Sequence, residues 1–160
     1  MKDLEITAKI KICNHNELTI EQKNVVKAAE EATLRAYAPY SNYHVGAAVL
    51  LDNGEIISGS NQENAAYPSG ICAERTTLFY AGSQYPDAKI LKLAICARSN
   101  GEITKAVCAP CGACRQVILE SEFRSNGPIE ILLCGKDDVY VVDGIRQILP
   151  FAFDLKSFRE

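Results

Sequence analysis

Two short runs of the sequence, Cys72-Ala73-Glu74-Arg75 and Pro110-Cys111-Gly112-Ala113-Cys114-Arg115-Gln116, organise the rest of the chain. Together they contain three thiols and one carboxylate. Zinc binds thiolates readily, and a catalytic zinc site has three protein ligands and a water molecule in the fourth position. The two runs therefore predict one catalytic metal site, which the fold must assemble from two segments that are far apart in the sequence.

The spacing of the cysteines indicates where they lie on helices. Cys111 and Cys114 are three residues apart, so in the first turn of a helix both side chains can lean over one face and bind one ion. Cys72 and Glu74 are two residues apart and would diverge on a regular helix, so Cys72 is predicted at the very start of a helix. There the helix dipole and the exposed N–H groups lower the pKa of a thiol and favour the thiolate.

The same residue types favour hydrolytic chemistry. A zinc ion with an open position lowers the pKa of its bound water from about 15.7 towards 7, but three thiolates weaken that effect. Two helix N-termini and the guanidinium of Arg75 are predicted to withdraw electron density from the sulfurs. Glu74 is predicted to stand beside the metal as a general base and acid, taking a proton from the water and delivering it later.

Periodicity and turn signals along the chain predict an α/β fold. Thr19-Ile20-Glu21-Gln22 reads as a capping box before a helix over residues 20–37, and Val45 to Ser60 reads as a hairpin around Asp52-Asn53-Gly54. The other predicted elements are helices at 72–82 and 111–121, strands at 90–97, 129–134 and 139–142, and a short helix capped by Asp143. We expect a three-layer α/β/α sandwich with a mixed sheet of about five strands.

Length and composition narrow the classes of function. The chain of 160 residues is expected to form an N-terminal arm of unknown role (1–18) and a single domain (19–160). The 17 basic and 20 acidic residues give a net charge of -3 without a basic run, which argues against a nucleic acid partner. The absence of a long apolar stretch or a secretion signal predicts a cytoplasmic protein without a membrane partner. In that compartment the seven cysteines are expected to bind metal or to be buried.

The two runs resemble the signature of the small homotetrameric zinc-dependent cytidine deaminases, and the likeness extends from about residue 20 to Phe153. It implies a cytidine deaminase-like fold in which Cys72, Cys111 and Cys114 bind one zinc ion per subunit. Glu74 would move protons from the zinc-bound water to N3 of cytosine and then to the departing ammonia. The implied function is conversion of cytidine and deoxycytidine to uridine and deoxyuridine in pyrimidine salvage.

The resemblance also implies which residues contact the nucleoside. Asn61 and Glu63 match the family's contacts to the ribose hydroxyls, and Ala73 matches a further substrate contact. Tyr43 stands where the family usually has a phenylalanine beside the pyrimidine. Phe153 matches an aromatic residue that reaches a neighbouring subunit's active site, which implies a homotetramer with shared active sites.

Several alternatives stay open at the level of sequence. The Cys-x-x-Cys pair is also compatible with redox chemistry, and Cys108 offers a fourth thiol for a closed structural zinc module that serves protein contacts. Another aminopyrimidine nucleoside, such as a nucleoside antibiotic, or a polynucleotide is an alternative substrate. Cys13, Cys96 and Cys134 are expected to serve packing rather than function.

Overall fold

The computed structural model describes residues 1–154. This part of the chain contains three α-helices and seven strands, connected by loops and short 3-10 turns. The last six residues of the predicted domain, 155–160, lie outside the described residues. The strands are β1 (Ile10–Asn14), β2 (Tyr43–Leu51), β3 (Ile56–Ser60), β4 (Ile90–Ser99), β5 (Glu102–Ile103), β6 (Glu130–Cys134) and β7 (Asp138–Asp143). The helices are α1 (Ile20–Ala32), α2 (Ala73–Gln84) and α3 (Gly112–Ser125). Over these residues, no helix combines the length and the apolar character that crossing a membrane requires.

All the strands belong to one sheet, in the order β1-β7-β6-β4-β2-β3 with β5 paired to β4. The sheet has seven strands, so the prediction of about five is wrong. The two additional strands are β1 and β5. Strand β1 forms the outer edge of the sheet beside β7, and β5 forms a two-residue pairing with β4. Both are mostly exposed, and neither contains two successive large apolar residues as the predicted strands do.

Helix boundaries follow local chemistry in some places and tertiary packing in others. The capping box forms as predicted, because Thr19 Oγ1 accepts from the N–H of Gln22, whose side chain accepts from the N–H of Thr19. Helix α1 ends at Ala32, earlier than predicted, and a 3-10 turn over Thr33–Arg35 follows it. The predicted cap at Asp143 is wrong, because the 3-10 turn over Ile145–Gln147 starts after Gly144 and has no side-chain cap.

The alternation of side chains along β2 divides the core into two layers. Ala47 and Val49 pack on the face that α2 and α3 cover, whereas Ala48 and Leu50 pack on the face that α1 covers. Helices therefore lie on both faces of the sheet, and the predicted α/β/α order of layers is confirmed.

The strand directions bring the N-termini of α2 and α3 to one edge of the sheet. Strand β2 is antiparallel to both β3 and β4, so β3 and β4 run in the same direction. Helix α2 follows β3, and α3 follows the β4-β5 pair and leads into β6, which is parallel to β4. Both helices therefore begin near the carboxyl ends of these strands, where α/β folds place their ligands.

Candidate metal centre

Three cysteine sulfurs meet where α2 and α3 begin. Cys72 is the N-cap of α2, Cys111 is the N-cap of α3, and Cys114 lies in the first turn of α3. Neither capping side chain accepts a hydrogen bond from a backbone N–H of its own helix, so both sulfurs are available to a metal. The sulfur of Cys111 lies 3.9 Å from that of Cys72 and 3.5 Å from that of Cys114, and all three lie within 4.8 Å of one another. Tetrahedral zinc with bonds of about 2.3 Å separates its sulfur ligands by about 3.8 Å, so this donor set fits the ion.

Cys108 is not a fourth member of this cluster. Within residues 1–154, neither Cys108 nor a carboxylate belongs to the group formed by the three sulfurs. Cys108 is buried, and burial raises the pKa of its thiol to about 11, which keeps it protonated and disfavours metal binding. The described residues thus offer three protein ligands, as in a catalytic zinc site, and not the four of a closed structural site.

Glu74 lies beside the cluster in the first turn of α2. Its side chain is only 4% exposed, and burial raises the pKa of its carboxyl group above the ordinary value for glutamate. The negative charge of Cys72 acts in the same direction, and the side chain of Cys114 is within hydrogen-bonding reach of the carboxyl group. A carboxyl group whose pKa is raised accepts a proton more readily than an exposed glutamate, which suits a general base that later returns the proton.

Arg75 faces the sulfur of Cys72. Its Nη2 lies 3.8 Å from that sulfur, and in the described part of the chain its buried Nε has no hydrogen-bond partner. Hydrogen bonds lower the pKa of Cys72 to about 5, and the bond from Cys114 contributes more than the bond from Arg75. Cys72 is therefore a thiolate at neutral pH. Thiolates are the form of cysteine that binds zinc. The guanidinium of Arg75 lies next to the sulfur of Cys72, as its predicted role beside the thiolates requires.

A cavity of about 400 Å³ opens beside the cluster. Cys72 and Arg75 lie at its border, and Asn61 and Glu63 form part of its wall. This volume falls in the range of small-molecule sites. Tyr40 and Tyr67 also line the cavity, with ring centroids 6.3 Å apart. Sequence reasoning missed both tyrosines because they come from separate loops and belong to no motif.

The two predicted ribose contacts are held in place by nearby backbone groups. The Asn61 side-chain amide bridges two backbone groups of β2 at 2.8 and 3.0 Å. Glu63 accepts hydrogen bonds from the N–H of Tyr40 at 2.9 Å and from both the hydroxyl and the N–H of Ser41. The hydroxyl of Ser41 makes the largest contribution to lowering the pKa of Glu63, so its carboxylate stays ionised.

The other predicted substrate contacts occupy different surroundings. Ala73 is fully buried at the first position of α2. Burial raises the pKa of the Tyr43 phenol to about 12, and the side chain of Cys108 acts in the same direction. The ring of Phe153 is 61% exposed. Over residues 1–154 of one chain, the cavity wall includes none of these three side chains.

The second cysteine run also anchors the C-terminal segment. Arg115 donates from Nε to the carbonyl of Pro110 at 2.9 Å and from Nη1 to the carbonyl of Ile148 at 2.8 Å. Gln116 donates to the carbonyl of Phe153 at 2.7 Å. Sequence reasoning did not foresee these contacts, although both residues belong to the quoted run.

Comparison with known proteins assigns this arrangement to a family. The family model for the cytidine and deoxycytidylate deaminase zinc-binding region matches residues 19–126. The chain belongs to this deaminase family. Zinc is the metal that the family binds, so the predicted cofactor is confirmed, and the three-sulfur cluster of this family member suits it.

Curated relatives and solved structures agree with the family assignment. A cytidine deaminase of Halalkalibacterium halodurans is 43% identical over 101 residues, covering 63% of this chain and 72% of that protein. A cytidine deaminase of Sporosarcina psychrophila is 36% identical over 135 residues, covering 84% of this chain and 92% of that protein. The crystal structure of cytidine deaminase from Burkholderia pseudomallei matches with a TM-score of 0.71 at 36% identity, over 85% of this chain and all (100%) of that one. The resemblance to the zinc-dependent cytidine deaminases is thereby confirmed at the level of the family.

Proposed function

We propose that this protein is a zinc-dependent cytidine deaminase that converts cytidine and deoxycytidine to uridine and deoxyuridine in pyrimidine salvage. The observation that carries the proposal is a cluster of three sulfurs with the buried carboxyl group of Glu74 beside it, in which Cys72 borders a cavity of about 400 Å³. Family membership and the curated relatives named cytidine deaminase support it.

Cys72, Cys111 and Cys114 would hold the zinc ion, which when bound supplies an acidic water molecule at neutral pH. Glu74 takes up one proton from the attacking water at its carboxylate and delivers it to N3 of the cytosine ring as the C4–O bond forms. It then takes up a second proton, from the hydroxyl group added at C4, and delivers it to the amino group, which leaves as ammonia when the C4–N bond breaks. Its burial favours the protonated form and so makes the uptake of each proton easier. Arg75 offsets part of the negative charge on the sulfur of Cys72.

Asn61 and Glu63 would bind the ribose. The carboxylate of Glu63 accepts hydrogen bonds from hydroxyl groups, and the amide of Asn61 can both donate and accept. Both residues line the cavity and are already oriented by backbone hydrogen bonds, which lowers the entropic cost of binding. We assign Ala73 and Tyr43 to the surroundings of the pyrimidine ring on the family resemblance.

We further propose a cytoplasmic homotetramer built from a single domain over residues 19–160, with active sites shared between subunits. The need for three reduced thiols favours a reducing compartment. Exposed aromatic side chains on α2 and α3, Phe79, Tyr80 and Phe123, offer apolar surface for contacts between subunits. Phe153, whose ring is 61% exposed and whose carbonyl is held by Gln116, is our candidate for the residue that reaches the neighbouring site.

The assay that tests the proposed function measures zinc content and ammonia release on the same preparation. We expect about one zinc ion per chain, and equal amounts of ammonia and uridine from cytidine. Deoxycytidine, other aminopyrimidine nucleosides and a single-stranded oligonucleotide are compared at steady state. Enzyme treated with a chelator is the control, and its activity should return with added zinc. Turnover of another nucleoside or of the oligonucleotide, but not of cytidine, would contradict the proposal.

Shared active sites predict complementation between two defective variants. Phe153→Ala should lower kcat/KM by about 10- to 30-fold, because truncating an aromatic anchor costs about 2 kcal/mol. Mixing these subunits with Glu74→Gln subunits should give more activity than the two variants show separately. In such hybrids, an intact Glu74 meets an intact Phe153 from the neighbour.

Phe151→Ala is the matched control for this experiment, since Phe151 is also an exposed aromatic of the C-terminal segment and has no assigned role in the site. We expect it to retain activity. Subunit exchange without any gain in activity would count against sharing.

A further inference from the structure

The N-terminal segment leaves one edge of the sheet open. Strand β1 is the first in the strand order and pairs only with β7, from Ile10 opposite Val142 to Asn14 opposite Asp138. Residues 1–9 precede it, all exposed and without regular secondary structure. Within residues 1–154, no strand pairs with the outer edge of β1 or with this preceding segment.

The strand pattern of the sequence continues well beyond β1 in the N-terminal direction. From residue 3 to residue 12, apolar and polar residues alternate without interruption, and the segment contains neither proline nor glycine. The large apolar side chains of this stretch are exposed by 75% (Leu4), 49% (Ile6), 39% (Ile10) and 61% (Ile12). A segment with the pattern of a strand thus presents an uncovered apolar face.

The charges on the polar face are self-complementary. The charged residues are placed symmetrically about Thr7. Glu5 and Lys9 lie two residues before and after it, and Asp3 and Lys11 lie four residues before and after it. If two copies pair as antiparallel strands with Thr7 opposite Thr7, Asp3 faces Lys11 and Glu5 faces Lys9, and the two-fold axis repeats both pairs. Opposite charges at facing positions stabilise a strand pair.

The neighbouring registers match these charges less well. Centring the pair on Ala8 leaves only Glu5 opposite Lys11, and centring it on Ile6 leaves only Asp3 opposite Lys9. The register centred on Thr7 also places apolar residues opposite each other, Leu4 against Ile10 and Ile6 against Ala8.

The direction of the backbone hydrogen bonds agrees with the register centred on Thr7. The N–H of Lys9 donates to the side chain of Gln147, just after β7, at 2.8 Å. Because these directions alternate along a strand, the backbone groups of Ile10 and Ile12 point to the open edge. Pairing about Thr7 places even-numbered residues opposite even-numbered ones, such as Ile10 opposite Leu4. The backbone N–H and C=O groups that point to the open edge of one strand therefore meet those of the other strand.

We propose that the N-terminal segments of two copies of this chain pair as antiparallel strands centred on Thr7. The pairing joins the two sheets edge to edge across a two-fold axis, covers the apolar side chains against each other and satisfies the open edge of β1. The interface is independent of the deaminase chemistry.

A cysteine at the two-fold axis tests the register. Thr7→Cys in the full, zinc-loaded chain should form a disulfide between two copies under mild oxidation, because a non-hydrogen-bonded antiparallel pair holds its Cα atoms about 4.5 Å apart. Ala8→Cys is the matched control, since Ala8 faces Ile6 and lies more than about 7 Å from its own copy. We expect at least about 10-fold more linked dimer from Thr7→Cys than from the control or the parent, measured on non-reducing gels with mapping of the linked peptide.

Charge reversal tests the pairing itself. In the Thr7→Cys background, Lys9→Glu with Lys11→Glu places like charges at all facing positions, and so does Asp3→Lys with Glu5→Lys. Each double reversal alone should lose the linked dimer, and an equal mixture of the two should restore it, because every facing pair then has opposite signs. Linkage that is no greater for Thr7→Cys than for Ala8→Cys, or that is unaffected by charge reversal, would overturn the proposal. If the N-terminal segment instead binds its own chain or a different protein, disulfide linkage between copies would be no greater for Thr7→Cys than for Ala8→Cys and would not respond to charge reversal.

Discussion

Glu74→Gln should lower the turnover of cytidine by about 100- to 10,000-fold, the range typical of losing a general acid-base group. Glutamine keeps the size of the side chain and its capacity for hydrogen bonds, but it cannot take up and return a proton. Because glutamine has nearly the same shape as the buried Glu74 side chain, and Glu74 lies outside the group of three sulfurs, the substitution should leave both the fold and the zinc content unchanged. The measurements are kcat from ammonia release, zinc per chain, and the unfolding midpoint.

Glu122→Gln is a matched control for this substitution. Glu122 is also a glutamate whose pKa is raised, mainly by burial, but it lies on α3 and accepts hydrogen bonds from the N–H groups of Ile129 and Ile145. The amide oxygen of glutamine can keep those bonds, so turnover should be retained. Full turnover in the Glu74 variant would remove Glu74 from the mechanism.

Cys114→Ala should abolish both zinc binding and activity. Cys114 is completely buried in the first turn of α3, and its removal leaves only two sulfurs for the ion. We expect the loss of zinc affinity to exceed the roughly 10- to 100-fold cost of losing a residue that only supports a ligand. Zinc content after dialysis and activity with and without added zinc are the measurements.

Two other buried cysteines provide controls for the Cys114 experiment. Cys134→Ala removes a thiol from strand β6 that does not belong to the cluster. The substitution should cost about 1 kcal/mol of stability without loss of zinc. Cys108→Ala should also retain zinc, because Cys108 does not belong to the three-sulfur group. Zinc retained at full content by Cys114→Ala, or lost from Cys108→Ala, would instead indicate that Cys108 is a ligand.

Local sequence chemistry was sufficient to predict the starts of the two helices that form the site. The spacing of Cys111 and Cys114, and the divergence expected of Cys72 and Glu74, placed the cysteines at helix N-termini, where the structure also has them. Strands with buried apolar runs were also found. The two-residue β5 was not, and the segment with the edge strand β1 was predicted only as an N-terminal arm, because both strands are mostly exposed and depend on a neighbouring strand for their existence.

The cavity wall and the nucleoside contacts proposed for it show a different limit. Asn61 and Glu63 were identified by resemblance alone, and Tyr40 and Tyr67 were missed, because a cavity wall consists of loops that are brought together by the sheet. Similarly, the contacts of Arg115 and Gln116 with the C-terminal segment join residues 33 and 37 positions apart, a separation at which no local pattern operates.

The sequence by itself determined the chemistry available to this protein: three thiols with the preferences of zinc ligands, one carboxylate next to them in the chain, and helix starts that favour thiolates. These are properties of residue type and short spacing, which do not depend on the rest of the fold. Only the tertiary structure decided that Cys108 stays outside the cluster, that Glu74 is buried beside it, and that a cavity with Asn61 and Glu63 opens next to the sulfurs. Those relations depend on the common direction of β3 and β4, which places two helix N-termini at the same edge of the sheet.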